Sequence, residues 1–229
     1  MRNFTLMILA AGFGTRMGSL TKNIPKPLLK INNSTLLNNT IIFFEKLGCN
    51  KFIINTHYLH ENLKDYINLK YSKKNIYLIY EPKILDTGGG VKNSIKYFDS
   101  KNFLVTNADI YWNETNINDV NNFINIIDQF ESYFLLLSNQ KNTIGIERSY
   151  GDFVIHSYYV RRWMECDPVI FFSGLQILNP KIFEHFESNK FSMNKIWDKL
   201  ILEKKLKAKI MQSKLFHIGD KKTFNKIVS

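Results

Sequence analysis

The chain has 229 residues, 45% hydrophobic and 14% aromatic, with a formal net charge of +11. That length and apolar content exclude a disordered chain and suit one domain with a substantial core, and no apolar run approaches the ~18 residues of a membrane span. Only five of the 31 basic residues are arginine and the lysines are scattered rather than striped, so the charge describes a solvated surface and not a nucleic-acid footprint.

The opening "MRNFTLMILAAG" has the outline of a weak signal peptide. Its short apolar run leads straight into a glycine loop, however, and reads better as a buried first strand. Next comes "STLLNNTIIFFEKLG", a helix with Ser34 as N-cap and Gly48 as its stop. "KFIINT" is strand-like, "HENLKDYINL" helical and "NIYLIY" a strand again. "GGGVKNSIKYF" starts a helix on glycines, and "NFLVTNAD" is another strand. Strands alternating with helices predict βαβ units and a mostly parallel, Rossmann-like α/β sheet flanked by helices. From about residue 130 the pattern changes. "SYFLLLSN", "DFVIHSYYVRRW" and "PVIFFSGLQIL" read as strands with hairpin-type connections, a small antiparallel addition, followed by helices near 180–186 and 193–205. There is no repeat and no linker. Residues 1–229 read as one domain, with 1–130 as its first part and 131–229 as its second. Cys49 and Cys166 give neither a disulfide framework nor a metal spacing, which together with the lack of a membrane span predicts a cytoplasmic protein.

Ligands of an open parallel sheet bind beyond the carboxyl ends of its strands. Three features fall there. After the first strand, Ala10, Ala11, Gly12 and Gly14 allow backbone N–H groups to approach an anion, and Arg16 adds a bidentate phosphate donor. The loop matches neither G-x-G-x-x-G nor the P-loop pattern. "LDTGGG" (Leu85–Gly90) opens a helix at the positive end of its dipole. "VTNAD" puts Asp109 just past a buried strand, where a carboxylate can hold Mg²⁺. Between the first two lies "PKPLL", in which Pro25 and Pro27 stiffen the chain around Lys26. Singly, these are a tight turn, a surface turn and a helix cap. Together they describe a site for a nucleoside triphosphate with Mg²⁺.

"LAAGFGTRM" followed closely by "PKPLL", with "TGGGVK", "NAD" and "FFSGLQILNPKIF" in order, resembles the sugar-1-phosphate nucleotidylyltransferases. Within them, "LDTGGG" and the short length look most like the compact N-acetylmuramate α-1-phosphate uridylyltransferases of cell-wall recycling. The resemblance implies a GT-A-like nucleotidyltransferase fold. It also implies Mg²⁺-dependent transfer of a nucleotidyl group from a triphosphate, UTP favoured, to a sugar 1-phosphate, in a monomer or small homo-oligomer. Leu9, Ala10, Ala11, Gly12, Gly14, Thr15, Thr87, Gly88 and Gly89 would contact the nucleotide. Arg16 would bind the β- and γ-phosphates, and Lys26 would stabilise the transferring α-phosphoryl. Asn107, Gly151, Ser173 and Gly174 would face the sugar, and Asp109 would carry the metal.

Two departures stand out. Where relatives have a second metal aspartate in "W-x-D-V-G-T", this chain has "LFHIGD", with His217 at that position and Asp220 three residues on. Either Asp109 holds Mg²⁺ with triphosphate oxygens and water, or Asp220 substitutes, or the metal differs, or His217 only packs nearby. Where relatives acting on hexose phosphates carry "E-K-P", this chain has "VRRW"; Arg161 and Arg162 would suit an anionic sugar such as muramic acid. The competing readings are a mannose- or glucose-1-phosphate nucleotidylyltransferase, a choline-phosphate cytidylyltransferase and a non-catalytic binding relative. Retention of Arg16, Lys26 and Asp109 argues against the last.

Overall fold

The computed structural model describes residues 3–98, 102–128, 133–156 and 159–228. Strands β1 (Phe4–Leu9) and β2 (Cys49–Thr56) are almost wholly buried, as expected of strands covered on both faces, and so is β4 (Phe103–Asn107); β3 (Ile76–Tyr80) is half-exposed. Helices α1 (Leu36–Lys46), α2 (His60–Tyr71) and α3 (Asp86–Ser94) connect them, and α4 (Ile117–Ile124) follows β4. The later chain supplies β5 (Tyr133–Asn139), β6 (Phe153–His156), β7 (Tyr159–Arg162) and β8 (Ile170–Leu178). It ends with α5 (Met193–Leu202), β9 (Leu206–Met211) and α6 (Lys221–Val228).

Seven strands form one sheet in the order β9-β5-β8-β4-β1-β2-β3. β8 pairs antiparallel with both β4 and β5, whereas the β1–β2, β1–β4, β2–β3 and β5–β9 pairs are parallel. Side chains alternate across the sheet. Leu6 and Ile8 pack on one face with Ile41, Phe44 and Trp112, and Met7 packs on the other with Val91, Val105 and Ile196. β6 and β7 form a separate antiparallel hairpin. Thr143–Ile144 also pairs in parallel with Leu215–Phe216, which brings the chain at 217 back to the sheet.

The mostly parallel sheet and the antiparallel addition agree with the sequence reading, with local differences. The cap of α1 is Thr35, whose Oγ1 accepts from the Asn38 N–H at 3.0 Å; Ser34 instead accepts from the Asn38 side chain. The predicted strand 152–163 is the β6–β7 hairpin, and its residues 157–158, like Ser132 at the head of "SYFLLLSN", lie outside the described residues. Segment Pro180–His185 is a 3₁₀ turn, and the helix expected to reach 205 ends at Leu202. α4, β9 and α6 had no counterpart in the sequence reading. Among the described residues no helix is long and apolar enough to cross a membrane.

Candidate active site

A cavity of about 400 Å³ opens at the carboxyl ends of β1, β2 and β4. Its first wall is the opening loop, Leu9–Arg16, and Lys26, Thr87, Asn107 and Asp109 also line it. Gly14 has a left-handed backbone (φ +66°), which turns the chain into the 3₁₀ segment Thr15–Thr21. The Thr21 hydroxyl donates to the Gly14 carbonyl at 2.9 Å and locks that turn. Among the described residues, no backbone N–H from Ala11 to Gly14 has an acceptor within the protein. The exposed Arg16 follows two residues after Gly14. The Ala10 N–H is already committed, donating to Asn55 Oδ1 at 2.9 Å, so Ala10 lines the cavity without offering a donor.

Opposite the loop, Lys26 Nζ donates to Asp109 Oδ2 at 2.8 Å, and His217 Nε2 lies 3.4 Å from the same oxygen. Asp109 Oδ1 is enclosed and has no hydrogen-bond partner. Burial alone would push the Asp109 carboxyl up, but the Lys26 ammonium and His217 outweigh it and hold the group well below the usual carboxylate range. Burial likewise opposes the charged imidazole of His217; the Asp109 carboxylate prevails and the net shift is upward. This corner is rigidly built. The Ile218 N–H donates to the Asp109 carbonyl at 2.8 Å, and His217 forms an antiparallel bridge with Ile110.

Two residues absent from the sequence reading tie the strand ends together. Asn55 Nδ2 donates to Glu81 Oε1 at 2.7 Å, and Glu81 Oε2 accepts from the Leu85 N–H at 3.0 Å. Together with the Ala10 bond, this buried pair joins β1, β2, the end of β3 and the start of α3. Their signal was available: an Asn and a Glu, each at the carboxyl end of an apolar run.

The structure does not bring every expected residue to the cavity. Gly88 and Gly89 are packed under a later segment: a Cβ on Gly88 would lie 2.5 Å from the Phe191 ring, and one on Gly89 2.1 Å from the Asn189 carbonyl oxygen. The Gly89 N–H donates to the Phe191 carbonyl at 2.9 Å, so it is not an open anion donor. Ser173 is fully buried with its Oγ accepting from the Leu175 N–H, and Gly151 is pressed against Trp163 and the Ile170 backbone. Gly174 (φ +88°) forms part of an irregularity in β8 beside Asn107. Arg161 is held by Asp167 through two bonds of 2.6 Å, and Arg162 by Asp198 and Asn194. Neither guanidinium faces the cavity, because each has a nearer carboxylate. Asp220 caps α6, its Oδ1 accepting from the Thr223 N–H at 2.8 Å, which lowers its pKa. It is His217, not Asp220, that stands beside Asp109.

A model of the nucleotidyl transferase family matches residues 5–144, the segment that carries the loop, Lys26 and Asp109. The chain belongs to that family. The motif resemblance is therefore borne out, and the nucleotidyltransferase can be set beside particular relatives. It is 22% identical to the N-acetylmuramate alpha-1-phosphate uridylyltransferase of Caulobacter vibrioides over 93% of this chain and 91% of that protein. It is 30% identical to the D-glycero-alpha-D-manno-heptose 1-phosphate guanylyltransferase of Aneurinibacillus thermoaerophilus, but that match spans only 45% of either chain, about half the length of the relative. Among solved structures, HddC from Yersinia pseudotuberculosis in complex with GMP-PN superposes with a TM-score of 0.79, at 25% identity and 98% coverage of both chains. The uridylyltransferase and the guanylyltransferase differ in base and sugar and share a class of reaction.

Proposed function

We propose that this nucleotidyltransferase joins a nucleoside triphosphate to a sugar 1-phosphate, with UTP and N-acetylmuramic acid 1-phosphate as the favoured pair. The observation that carries the reading is the Lys26–Asp109 contact at 2.8 Å, facing a loop of unused N–H groups across one cavity. A sugar-phosphate oxygen attacks the α-phosphorus; the new P–O bond forms as the bond to the β-phosphate oxygen breaks, and pyrophosphate leaves. The attacking group is already largely anionic at neutral pH, its second pKa being ~6, so no general base is needed. What such a transfer requires is positioning and charge neutralisation. The Ala11–Gly14 N–H groups and Arg16 hold the triphosphate tail, and Lys26 swings its ammonium from Asp109 onto the transferring phosphoryl.

A divalent cation fits beside Asp109, which has one enclosed oxygen without a donor and the His217 imidazole next to the other. Asp109 and His217 would hold it, and when bound it supplies neutralising charge to the phosphate oxygens. Mg²⁺ is the ion the family resemblance implies, although an imidazole suits it less well than a second carboxylate would.

The choice of UTP and N-acetylmuramic acid 1-phosphate rests on the relative that aligns over nearly the whole of both chains. With Arg161 and Arg162 paired elsewhere, the lactyl carboxylate would be read by other groups. A second reading, guanylyl transfer to a heptose 1-phosphate, is favoured by the shorter but more identical match, and its guanine base by the likeness to HddC, whose structure holds GMP-PN. Pyrophosphate release measured for UTP, GTP, CTP and dTTP against the 1-phosphates of N-acetylmuramic acid, N-acetylglucosamine, mannose and heptose, and against phosphocholine, separates them. Turnover with UTP and the muramic acid substrate supports the first. Turnover confined to GTP and heptose 1-phosphate replaces it with the second, and no release from any pair removes both.

A further inference from the structure

His217 is more deliberately positioned than a packing residue needs to be. Its Nδ1 faces the Gly145 carbonyl at 3.3 Å, and since a carbonyl only accepts, Nδ1 is the donor. The ring is thereby oriented with Nε2 toward Asp109. Metal-bound histidines are oriented in the same way, donating the far N–H to a backbone carbonyl. Two glycines make room for the arrangement. A Cβ on Gly219 would lie 2.7 Å from the imidazole Cε1, and one on Gly145 only 2.0 Å from the His217 carbonyl oxygen. The 3.4 Å between Nε2 and Asp109 Oδ2 is close to the roughly 3 Å that separates neighbouring ligands bound at about 2.1 Å to one small cation.

We infer that Asp109 and His217 together ligate the divalent cation, and that this oxygen–imidazole pair biases the site toward first-row transition cations and away from Mg²⁺. The inference rests on reading the cavity as a triphosphate–cation site. Mg²⁺ favours oxygen ligands and sheds water reluctantly. First-row divalent ions accept imidazole readily, so replacing a carboxylate by His217 weakens Mg²⁺ more than Mn²⁺ or Co²⁺. Charge acts in the same direction: one carboxylate instead of two offers less to a hard cation. The Lys26 ammonium beside Asp109 gives way when the cation arrives, consistent with its reassignment to the phosphoryl group.

The test uses the whole chain loaded with Mn²⁺ and a non-hydrolysable UTP or GTP analogue, without turnover. Pulsed EPR of the bound Mn²⁺ should show an imidazole nitrogen coupling that disappears in His217→Asp. In the same variant the ratio of Mn²⁺ to Mg²⁺ affinity, measured by titration and competition, should fall tenfold or more. His217→Gln, an uncharged replacement, should also abolish the coupling, should the aspartate variant fold poorly. Bound Mn²⁺ without imidazole coupling in the unaltered protein overturns the inference, as does an unchanged affinity ratio in a folded His217→Asp. Because no sugar phosphate is present, this outcome is independent of which transfer reaction, if any, the enzyme performs.

Discussion

The two glycine-rich segments, Gly12–Gly18 and Gly88–Gly90, look alike in the sequence and do opposite things. A Cβ on Gly12 or Gly18 would meet nothing within 4 Å, so the first segment leaves space open for something to approach its backbone. The second has no space left. Gly88 and Gly89 lie against Phe191 and Asn189, and a Cβ on Gly90 would lie 2.7 Å from the Asn55 amide and 2.8 Å from Glu81. Gly12 leaves room beside its backbone at the cavity wall, whereas Gly88 and Gly89 make room for the protein's own later segment. Composition cannot distinguish these, because the partners that crowd Gly88 and Gly89 are about a hundred residues away.

The comparison breaks most visibly at Gly89. Gly89→Ala gains about 1 kcal/mol of helix propensity but forces a methyl into the Asn189 carbonyl, an overpacking cost that reaches ~3 kcal/mol or more. The net loss should be about 2–3 kcal/mol, a fall in Tm of roughly 5–10 °C by thermal denaturation. A Tm within a degree or so of the parent would mean that Asn189 does not cover α3.

On the open side, Lys26→Ala should lower kcat by ~10²-fold or more, the scale of deleting one preorganised donor of charge. Steady-state pyrophosphate release from protein shown by circular dichroism to be folded checks it. An unchanged kcat would remove Lys26 from the transfer step. Gly12→Ala sharpens the contrast with Gly89. Stability should stay within about 0.5 kcal/mol, whereas the KM for triphosphate should rise about tenfold as the methyl intrudes on the loop's N–H groups. A triphosphate KM equal to the parent's would show that no ligand approaches there. The smallest effect is expected for Asp220→Ala. Loss of the α6 cap should cost about 1 kcal/mol in denaturant titrations. Mn²⁺ affinity should not change, and a large loss of metal binding would instead make Asp220 a ligand.

The strands of the first part were legible because they are uninterrupted apolar runs punctuated by Gly and Pro. Arg16, Lys26 and Asp109 were legible because each follows such a run or is clamped by prolines. α4 and α6 were obscured by their Asn and Lys content, although Ile117, Val120 and Ile124 keep helical spacing. β9 is an outer strand whose lysines alternate with buried and half-buried residues, a pattern that suits one covered face. Asp220 directly before "KKTFNKIV" was readable as a cap by the same preference that places Thr35 before α1. Arg161 and Arg162 were misleading because electrostatic partners are chosen in space. Asp167 is near in sequence, but Asp198 is brought in only by the packing of α5 against the hairpin.

The position of β8 has a consequence for how the chain reaches this state during synthesis. β4 is finished by residue 107, yet the strand that covers its far edge is not made until residues 170–178. For some sixty residues of elongation, an apolar strand bearing Phe103, Leu104 and Val105 has an uncapped edge, the kind of edge that recruits other chains. Threading one strand in the opposite direction between β4 and β5 closes a long loop and is intrinsically slow. A ribosome-bound intermediate that already holds the glycine loop, Lys26 and Asp109 therefore still carries an open apolar edge. Its vulnerability ends only when Ile170–Leu178 emerges.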